Sequence, residues 1–500
     1  MQQGSAAALL LLATCLILAA APRAQDAAAT GPVSEASESC VFCHENLNPG
    51  LVGDWRRSRH ARVTPAEALK REPIARRMSV DKAPAGMADH VVGCAECHTL
   101  SPDTHPDTVE HQGHRIHTVV TPRDCATCHP TEATEFDQNL MSRAHENLVR
   151  NQVYQDLMRQ VNEVPTWRDG SLRLEGSHGG SDPDSCLQCH GTEVKVLGKE
   201  KRKTSLGEME FPILSGWPNQ GVGRVNPDQS RGTCSACHTR HEFSLAMARK
   251  PYTCAQCHKG PDVPAFQVYE ASKHGALFKT HGSEWNFDAV PWVPGRDFTA
   301  PTCATCHMSL LANESGTMLA PRTHRMNDRL WVRLFGLPYA HPHPKDPSTH
   351  TIRNQAGLQL PTNLDGTPVA AALIDAAEQA QRKRAMQQVC RTCHSQSWVN
   401  GQFERLDQTI AATNAATLTA TQLLQAAWAN GVARGPAEQD SMFNESIERM
   451  WVEQWLFFAN STRFASAMMG ADYGVFAGGR WQLSRNLRDM EALVRQGPRK

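Results

Sequence analysis

The chain has 500 residues, and its 51 Lys and Arg residues balance its 51 Asp and Glu residues. Zero net charge argues against a protein that binds nucleic acid or an anionic surface through its overall field. Aromatic residues make up only 6% of the chain, which is little for the cores of the roughly three domains that this length suggests. The 17 Cys and 23 His residues instead point to a core built around a metal or cofactor.

The N-terminal segment has the pattern of an export signal. An apolar run, Ala6 to Ala21, is followed by Pro22-Arg23-Ala24 and is too short for a confident membrane span. We therefore expect residues 1–24 to be removed as a signal peptide, together with Cys15. The mature chain is predicted to be periplasmic and to have no transmembrane segment.

Eight copies of Cys-x-x-Cys-His follow, and they contain sixteen of the cysteines. Each copy has the pattern of a c-type haem site, in which two thiols bond to the porphyrin and the histidine binds iron. A zinc ribbon, a thioredoxin-like pair or disulfides would leave the eight histidines unexplained. The predicted haem ligands are Cys40, Cys43 and His44; Cys94, Cys97 and His98; Cys125, Cys128 and His129; Cys186, Cys189 and His190; Cys234, Cys237 and His238; Cys254, Cys257 and His258; Cys303, Cys306 and His307; and Cys390, Cys393 and His394.

The first seven motifs lie in residues 25–368, where turn-forming residues separate short helical pieces such as 130–160. Residues 341–368 are rich in Pro, His and Thr, and they predict a surface connection. Three histidines in this connection are expected to face solvent, namely His341, His343 and His350.

Residues 369–500 have a different character and carry the eighth motif. Helices are predicted over 370–388, 402–430 and 436–460, with a last one after Gly479. An apolar stripe in the third helix favours intramolecular core over a subunit interface; it comprises Ile447, Met450, Trp451, Trp455 and Phe458. The predicted fold is mainly α, a multihaem c-type cytochrome whose helices and turn-rich loops pack around eight haems, with a C-terminal helical bundle.

A haem that only transfers electrons is usually bound by histidine on both faces, whereas a haem that does chemistry keeps one face open. Eight haems with one open face need seven further histidines. Seven of the fifteen histidines outside the motifs stand out by their sequence context: His60, His111, His145, His178, His241, His274 and His324. For His111, the nearby His114 and His117 are rivals.

Several stretches resemble the octahaem hydroxylamine oxidoreductase family, and the resemblance covers nearly the whole mature chain. Besides the order of the eight motifs, the matching stretches are Val119–Pro122, Gly232–His241, Gly260–Asp262, Tyr269–Gly275 and Ala471–Tyr473. The family implies a helical, homotrimeric, exported enzyme. In it the fourth haem is five-coordinate and catalytic, which corresponds here to the haem of Cys186, Cys189 and His190.

The resemblance also implies roles for two further residues. In oxidising members a tail tyrosine of a neighbouring subunit is bonded to the catalytic haem, giving the chromophore P460, and Tyr473 is the candidate. An acidic residue followed by His faces that haem in the family pattern. Here the pair is Asp262-Val263, so Asp262 is the expected base and its partner is missing unless another histidine, such as His281, replaces it.

The implied activity is oxidation of hydroxylamine to nitric oxide or nitrite, with electrons passed to a c-type cytochrome. Three alternatives remain open on the sequence. The same pocket could oxidise hydrazine, or it could reduce nitrite or hydroxylamine if Tyr473 is not cross-linked. From a different class, the protein could be an electron conduit in which all eight haems are six-coordinate.

Overall fold

The computed structural model describes residues 30–176 and 181–497. The expected signal peptide, Cys15 and the candidate ligand His178 lie outside these ranges. Within them, none of the helices combines the length and the apolarity that crossing a bilayer requires.

The architecture is mainly helical, which confirms the predicted fold class. Short helices alternate with loops up to about residue 310, and long helices dominate after residue 375. The helices are α1 (Glu35–Leu47), α2 (Pro49–Arg57), α3 (Pro65–Leu69), α4 (Cys94–His98), α5 (Pro122–Cys125), α6 (Pro130–Asp137), α7 (Ala144–Val149), α8 (Gln152–Asn162), α9 (Ser181–Asp184), α10 (Cys186–His190), α11 (Leu245–Arg249), α12 (Pro251–Ala255), α13 (Ala265–Ala271), α14 (Lys273–His281), α15 (Cys303–His307), α16 (Ala376–Cys390), α17 (Gln396–Ala429), α18 (Ser446–Val452), α19 (Asn460–Met468), α20 (Ala471–Val475) and α21 (Arg480–Gln496).

The strands form separate antiparallel pairs of two, so no extended sheet is present among the described residues. In sequence order, β1 pairs with β2, β3 with β4, β5 with β6, β7 with β8, and β9 with β10. The strands are β1 (Val109–His111), β2 (His114–Ile116), β3 (Val164–Arg168), β4 (Ser171–Glu175), β5 (Lys195–Thr204), β6 (Gly207–Ser215), β7 (Leu311–Ala312), β8 (Met318–Ala320), β9 (Val332–Arg333) and β10 (His341–Pro342).

The C-terminal helices pack around α17, which begins six residues earlier than predicted because Ser395 caps it. The Ser395 hydroxyl accepts the Trp398 N–H, which satisfies one of the free amides at the helix start. Buried residues recur along α17 every three or four positions, as expected for a helix with one face in the core. This face makes the C-terminal bundle a single packed unit.

The predicted third helix begins ten residues later than expected. Residues 441–445 are not helical; α18 begins at Ser446, passes through a π-helical stretch over 453–459 and continues as α19 to Met468. The Glu448 carboxylate accepts the N–H groups of Asn444 and Glu445 over 3.1 and 2.9 Å, which fixes the start of α18 there. The Trp-rich stripe is intramolecular core, as predicted: Trp451 is 1% exposed, and its indole N–H donates to the Thr421 hydroxyl over 2.9 Å.

The prediction that His341 and His343 face solvent is wrong. Each is only 2% exposed, because the chain around them is held under the C-terminal bundle. Asn414 on α17 accepts the Ala340 N–H over 3.0 Å and donates to the Ala340 carbonyl over 2.9 Å. The Tyr339 hydroxyl reaches Thr421 on the same helix. The Pro-rich segment is thus an irregular backbone that is buried at His341 and His343, half-buried at His350 and exposed at Lys345 and Asp346.

Replacing Trp451 by Ala should lower the free energy of unfolding by about 3–5 kcal/mol, because it leaves a large cavity and removes the hydrogen bond to the Thr421 hydroxyl. Denaturant unfolding followed by far-ultraviolet circular dichroism measures this. Trp481, which is 58% exposed, is the matched control, and Trp481→Ala should change stability by less than about 0.5 kcal/mol. Equal losses in the two variants would contradict the assigned core.

Candidate haem centre

The first cysteine of each motif lies in an α-helix or a 3-10 turn. In α4, α10 and α15 the turn spans the whole motif, from the first cysteine to the histidine. Residues three and four apart share one face of a helix, so both thiols and the imidazole project to the same side. All sixteen motif cysteines are free of disulfide bonds, which leaves every thiol available for attachment to a porphyrin.

Two motif histidines show how the imidazole is oriented. The Nδ1 of His98 donates to the His117 carbonyl over 2.8 Å, and the Nδ1 of His190 donates to the Ala144 carbonyl over 3.1 Å. A proton fixed on Nδ1 leaves the Nε2 lone pair free for a metal, an arrangement usual for metal-binding histidine. These rings are therefore prepared to bind iron through Nε2.

Four motif histidines face a second histidine at the separation that one iron would require. With an iron–nitrogen bond of about 2 Å on each side, two axial imidazoles have ring centroids about 6 Å apart. The observed centroid separations are 6.1 Å for His44 and His111, 6.3 Å for His129 and His60, 6.3 Å for His238 and His324, and 6.1 Å for His394 and His274. The residues present thus fit bis-histidine haem at these four positions.

Burial holds three of these rings in the neutral form. Burial lowers the pKa of His60 and of His238 to about 4, and it lowers the pKa of His324 to about 3. A neutral imidazole is the form that binds a metal. The low dielectric around the rings therefore favours ligation over protonation.

The other candidate ligands are placed less directly. His241 is close enough to His98 to lower its pKa, behind the larger effects of burial and of His117. The His117 ring is 6.1 Å from the His98 ring, but His117 approaches the Nδ1 side through its carbonyl, away from the nitrogen that would bind iron. His145 is buried, and its Nδ1 donates to the Gly191 carbonyl over 2.7 Å.

A buried cluster that the sequence did not suggest lies beside the second motif. His105 stacks on His117 with ring centroids 3.6 Å apart and planes 7° from parallel. Parallel rings direct their lone pairs side by side, so the triad of His105, His117 and Asp124 does not converge on a metal ion. Burial lowers the pKa of His105, but Asp107 and Asp124 outweigh it and raise this pKa to about 9. The cluster is therefore a buried ion pair.

Thiols of different motifs lie next to one another, and they mark which attachment sites adjoin. Once bonded to haem the sulfurs are thioethers and no longer titrate, so these pairs matter only as positions. In four pairs one thiol lowers the pKa of its neighbour: Cys94 acts on Cys40, Cys125 on Cys234, Cys257 on Cys189, and Cys254 on Cys303. The first site thus adjoins the second, the third adjoins the fifth, and the sixth adjoins both the fourth and the seventh.

The fourth motif has charged groups around it. Burial lowers the pKa of His190 and of His258, and the Asp262 carboxylate opposes this in both residues. Arg333 also lowers the pKa of His190. His145 also lowers the pKa of His190, but it lies on the Nδ1 side of the His190 ring. It follows Ala144, whose carbonyl accepts from His190 Nδ1.

Helix α19 holds the backbone at Asp262 and next to Arg333. The Asn460 side chain donates to the Asp262 carbonyl over 2.8 Å. Arg463 donates to the Asn460 side-chain oxygen over 3.3 Å and to the Leu334 carbonyl, next to Arg333, over 2.8 Å. Asn460 and Arg463 are both fully buried, so these hydrogen bonds are shielded from water and the connection is rigid.

Two residues named from the family pattern are also located. His281 has a side chain 45% exposed and lies 3.6 Å from Glu284, so it pairs at the surface. Tyr473 is half-buried on α20, next to Val475 and Phe476, whose exposures are 45% and 64%. The tyrosine thus lies at the edge of an exposed apolar patch.

Comparison with known proteins agrees with these observations. The family described as seven times multi-haem cytochrome CxxCH matches residues 219–321. A solved structure described as a hypothetical multiheme protein is 40% identical, covers 96% of this chain and 99% of its own, and has a TM-score of 0.88. A reducing HAO-like protein complex of Kuenenia stuttgartiensis is similar in fold, with 19% identity and a TM-score of 0.60 over 92% of this chain and 85% of that one.

A curated relative adds a functional name. It is a probable nitrite reductase-hydroxylamine oxidoreductase fusion protein of Kuenenia stuttgartiensis, 26% identical over 380 residues and 74% of this chain. The chain spans only 35% of that relative's length. The solved multiheme protein is 40% identical over almost its full length, which is a higher identity and coverage than the curated relative has. Together with the eight Cys-x-x-Cys-His motifs, this similarity identifies the chain as a member of the multihaem CxxCH cytochromes, which carry covalently bound c-type haems.

Proposed function

We propose that the protein is an exported octahaem oxidoreductase that oxidises hydroxylamine and passes the electrons to a c-type cytochrome. It carries eight haems, one at each motif. Seven are bound by a second histidine, and His60, His111, His145, His178, His241, His274 and His324 supply the second ligand. The haem at His190 keeps one face open for substrate.

The observation that supports the open site best is the set of groups around His190. Four other motif histidines face an imidazole about 6 Å away, whereas the charged groups that act on His190 are a carboxylate, Asp262, and a guanidinium, Arg333. His145 also acts on His190, but from its Nδ1 side. A carboxylate and a guanidinium suit proton transfer and hydrogen bonding to a small polar substrate better than they suit iron ligation.

Cys186, Cys189 and His190 would hold a haem whose iron would supply a binding site for nitrogen and one-electron redox chemistry. The protein's own residues handle the protons. The Asp262 carboxylate accepts protons from the N–H and O–H groups of hydroxylamine, and Asn460 fixes the loop on which Asp262 lies. Loss of three electrons and three protons gives nitric oxide, and loss of four electrons with addition of water gives nitrite.

The direction of the reaction is proposed to depend on Tyr473. In a homotrimer its phenol is bonded to the haem at His190 of a neighbouring subunit, forming P460. Its position at an exposed apolar edge supports a contact with another subunit, because such patches commonly mark interfaces. Reduction of nitrite or hydroxylamine is the alternative, and similarity to a reducing HAO-like protein complex favours it. The probable nitrite reductase-hydroxylamine oxidoreductase fusion protein carries both activities in its name and favours neither direction.

Replacing His111 by Ala should open one face of the first haem and add high-spin signal to the oxidised protein, because His111 faces His44. Magnetic circular dichroism measures the high-spin fraction. His114→Ala is the matched control, since His114 pairs with His111 across the β1–β2 hairpin, and it should leave the spectrum unchanged. The reverse pattern would assign the ligand to His114.

Asp262→Asn should slow hydroxylamine oxidation by about 100-fold to 10,000-fold, the loss expected for a positioned base. Asp262→Glu should recover part of the rate. Asp169→Asn, at a side chain 83% exposed, is the matched control and should be silent. Unchanged turnover in the Asp262→Asn variant would mean that another group accepts the protons.

Tyr473→Phe should give subunits that separate on a denaturing gel and reduced protein without a band near 460 nm. Wild-type subunits should resist separation and show that band. The variant should also shift from oxidising hydroxylamine toward reducing it, since the cross-link disfavours electron flow back to substrate. If wild-type subunits separate freely and the protein only reduces nitrite or hydroxylamine with a viologen donor, the reductase alternative is correct.

A further inference from the structure

A half-buried arginine and a buried histidine lie opposite each other in the pair β9–β10. Arg333 is the partner of His341 in the antiparallel register, and residues directly opposite in such a pair project side chains to the same face. The Nε of Arg333 and the Nε2 of His341 are both buried without a hydrogen-bond partner. Buried polar groups are rarely left unpaired, so two together indicate a place for a missing polar group.

The two nitrogens differ in hydrogen-bonding character. His341 Nδ1 donates to the Pro342 carbonyl over 2.7 Å, which fixes the proton on Nδ1. Burial and the Arg333 charge lower the pKa of His341 to about 3, so the ring is neutral and Nε2 is an acceptor. Arg333 Nε carries hydrogen and can only donate. The strand pair therefore presents one acceptor and one donor on the same face.

This pair belongs to the region around His190. Arg333 follows Val332 and precedes Leu334, whose carbonyl accepts from Arg463. Arg463 also donates to Asn460, and Asn460 donates to the Asp262 carbonyl, so Arg463 joins the strand of Arg333 to the loop of Asp262. Arg333 and Asp262 are also the charged groups that act on His190 in opposite senses.

We propose that Arg333 and His341 form a hydroxyl-binding subsite beside His190, in which Arg333 Nε donates to the substrate oxygen and His341 Nε2 accepts the substrate O–H. The inference rests on the proposed function only in taking the haem at His190 as the open one. His341 then fills the place for which the sequence offered His281, since Val263 follows Asp262.

The subsite distinguishes ligands by whether their oxygen carries a proton. The hydroxyl of hydroxylamine satisfies both nitrogens at once. Nitrite has oxygens that accept from Arg333 but no proton, so the His341 lone pair repels it. Hydroxylamine is therefore the better ligand, and nitrite, once formed, is held by Arg333 alone and leaves readily.

The test is an optical titration of the oxidised protein with nitrite, without any reductant, in two variants. Arg333→Met should weaken nitrite binding about 10-fold, because a charge-assisted donor is lost. His341→Leu should tighten nitrite binding by about 3-fold or more, because the repelling acceptor is gone. For hydroxylamine both variants should raise KM, by about 3-fold to 10-fold each.

Opposite changes of nitrite affinity in Arg333→Met and His341→Leu distinguish the subsite from a merely structural role, which would weaken nitrite binding in both variants. Haem content and thermal stability check that each variant folds. Arg333→Lys and His341→Gln serve as second variants that keep a donor and an acceptor, and they should recover part of the wild-type pattern. The matched control is Arg353→Met, at an exposed arginine, which should leave nitrite binding unchanged.

Weaker nitrite binding in His341→Leu, or unchanged nitrite binding in Arg333→Met, overturns the subsite. The nitrite titration does not depend on hydroxylamine turnover. A protein that shows the opposite signs but fails to oxidise hydroxylamine therefore keeps the subsite and loses the proposed function.

Discussion

The pairing of two imidazoles about 6 Å apart is the constraint on which this fold depends. His60 with His129, His238 with His324, and His274 with His394 each join segments far apart in the sequence. A haem between such rings would cross-link the chain at both faces, so ligation and folding become one process. This explains how a chain with few aromatic residues builds an interior: the porphyrins supply the apolar volume, and neutral imidazoles position it.

The C-terminal helices are part of the site as well as a separate core. Asn460 and Arg463 lie on α19, yet their hydrogen bonds reach Asp262 and the strand that carries Arg333. Fully buried polar side chains are costly unless every bond is made, and these two make several. The bundle thus contributes the rigidity that holds the charges near His190. A change in its packing should therefore be felt at the site.

The sequence predicts the local features well, because these are set by spacing. The Cys-x-x-Cys-His turns need only helical geometry, and the long α17 follows from its composition. The sequence could not choose among His111, His114 and His117, since the choice depends on which ring meets His44 in the folded chain. It placed His341 at the surface because Pro and Thr are common there, whereas contacts with α17 bury it. Burial that depends on a distant helix leaves no local pattern.

The central claim is that one haem, at His190, differs from all the others in having an open face. Electron paramagnetic resonance of the fully oxidised protein tests it most directly, with haem content determined on the same sample. If the haem at His190 is open, the sample contains eight haems per chain, seven with low-spin signals and one with a different, five-coordinate state that changes when hydroxylamine or nitrite is added. Only low-spin signals, unaffected by either ligand, would show that every haem is closed and that the protein is an electron conduit.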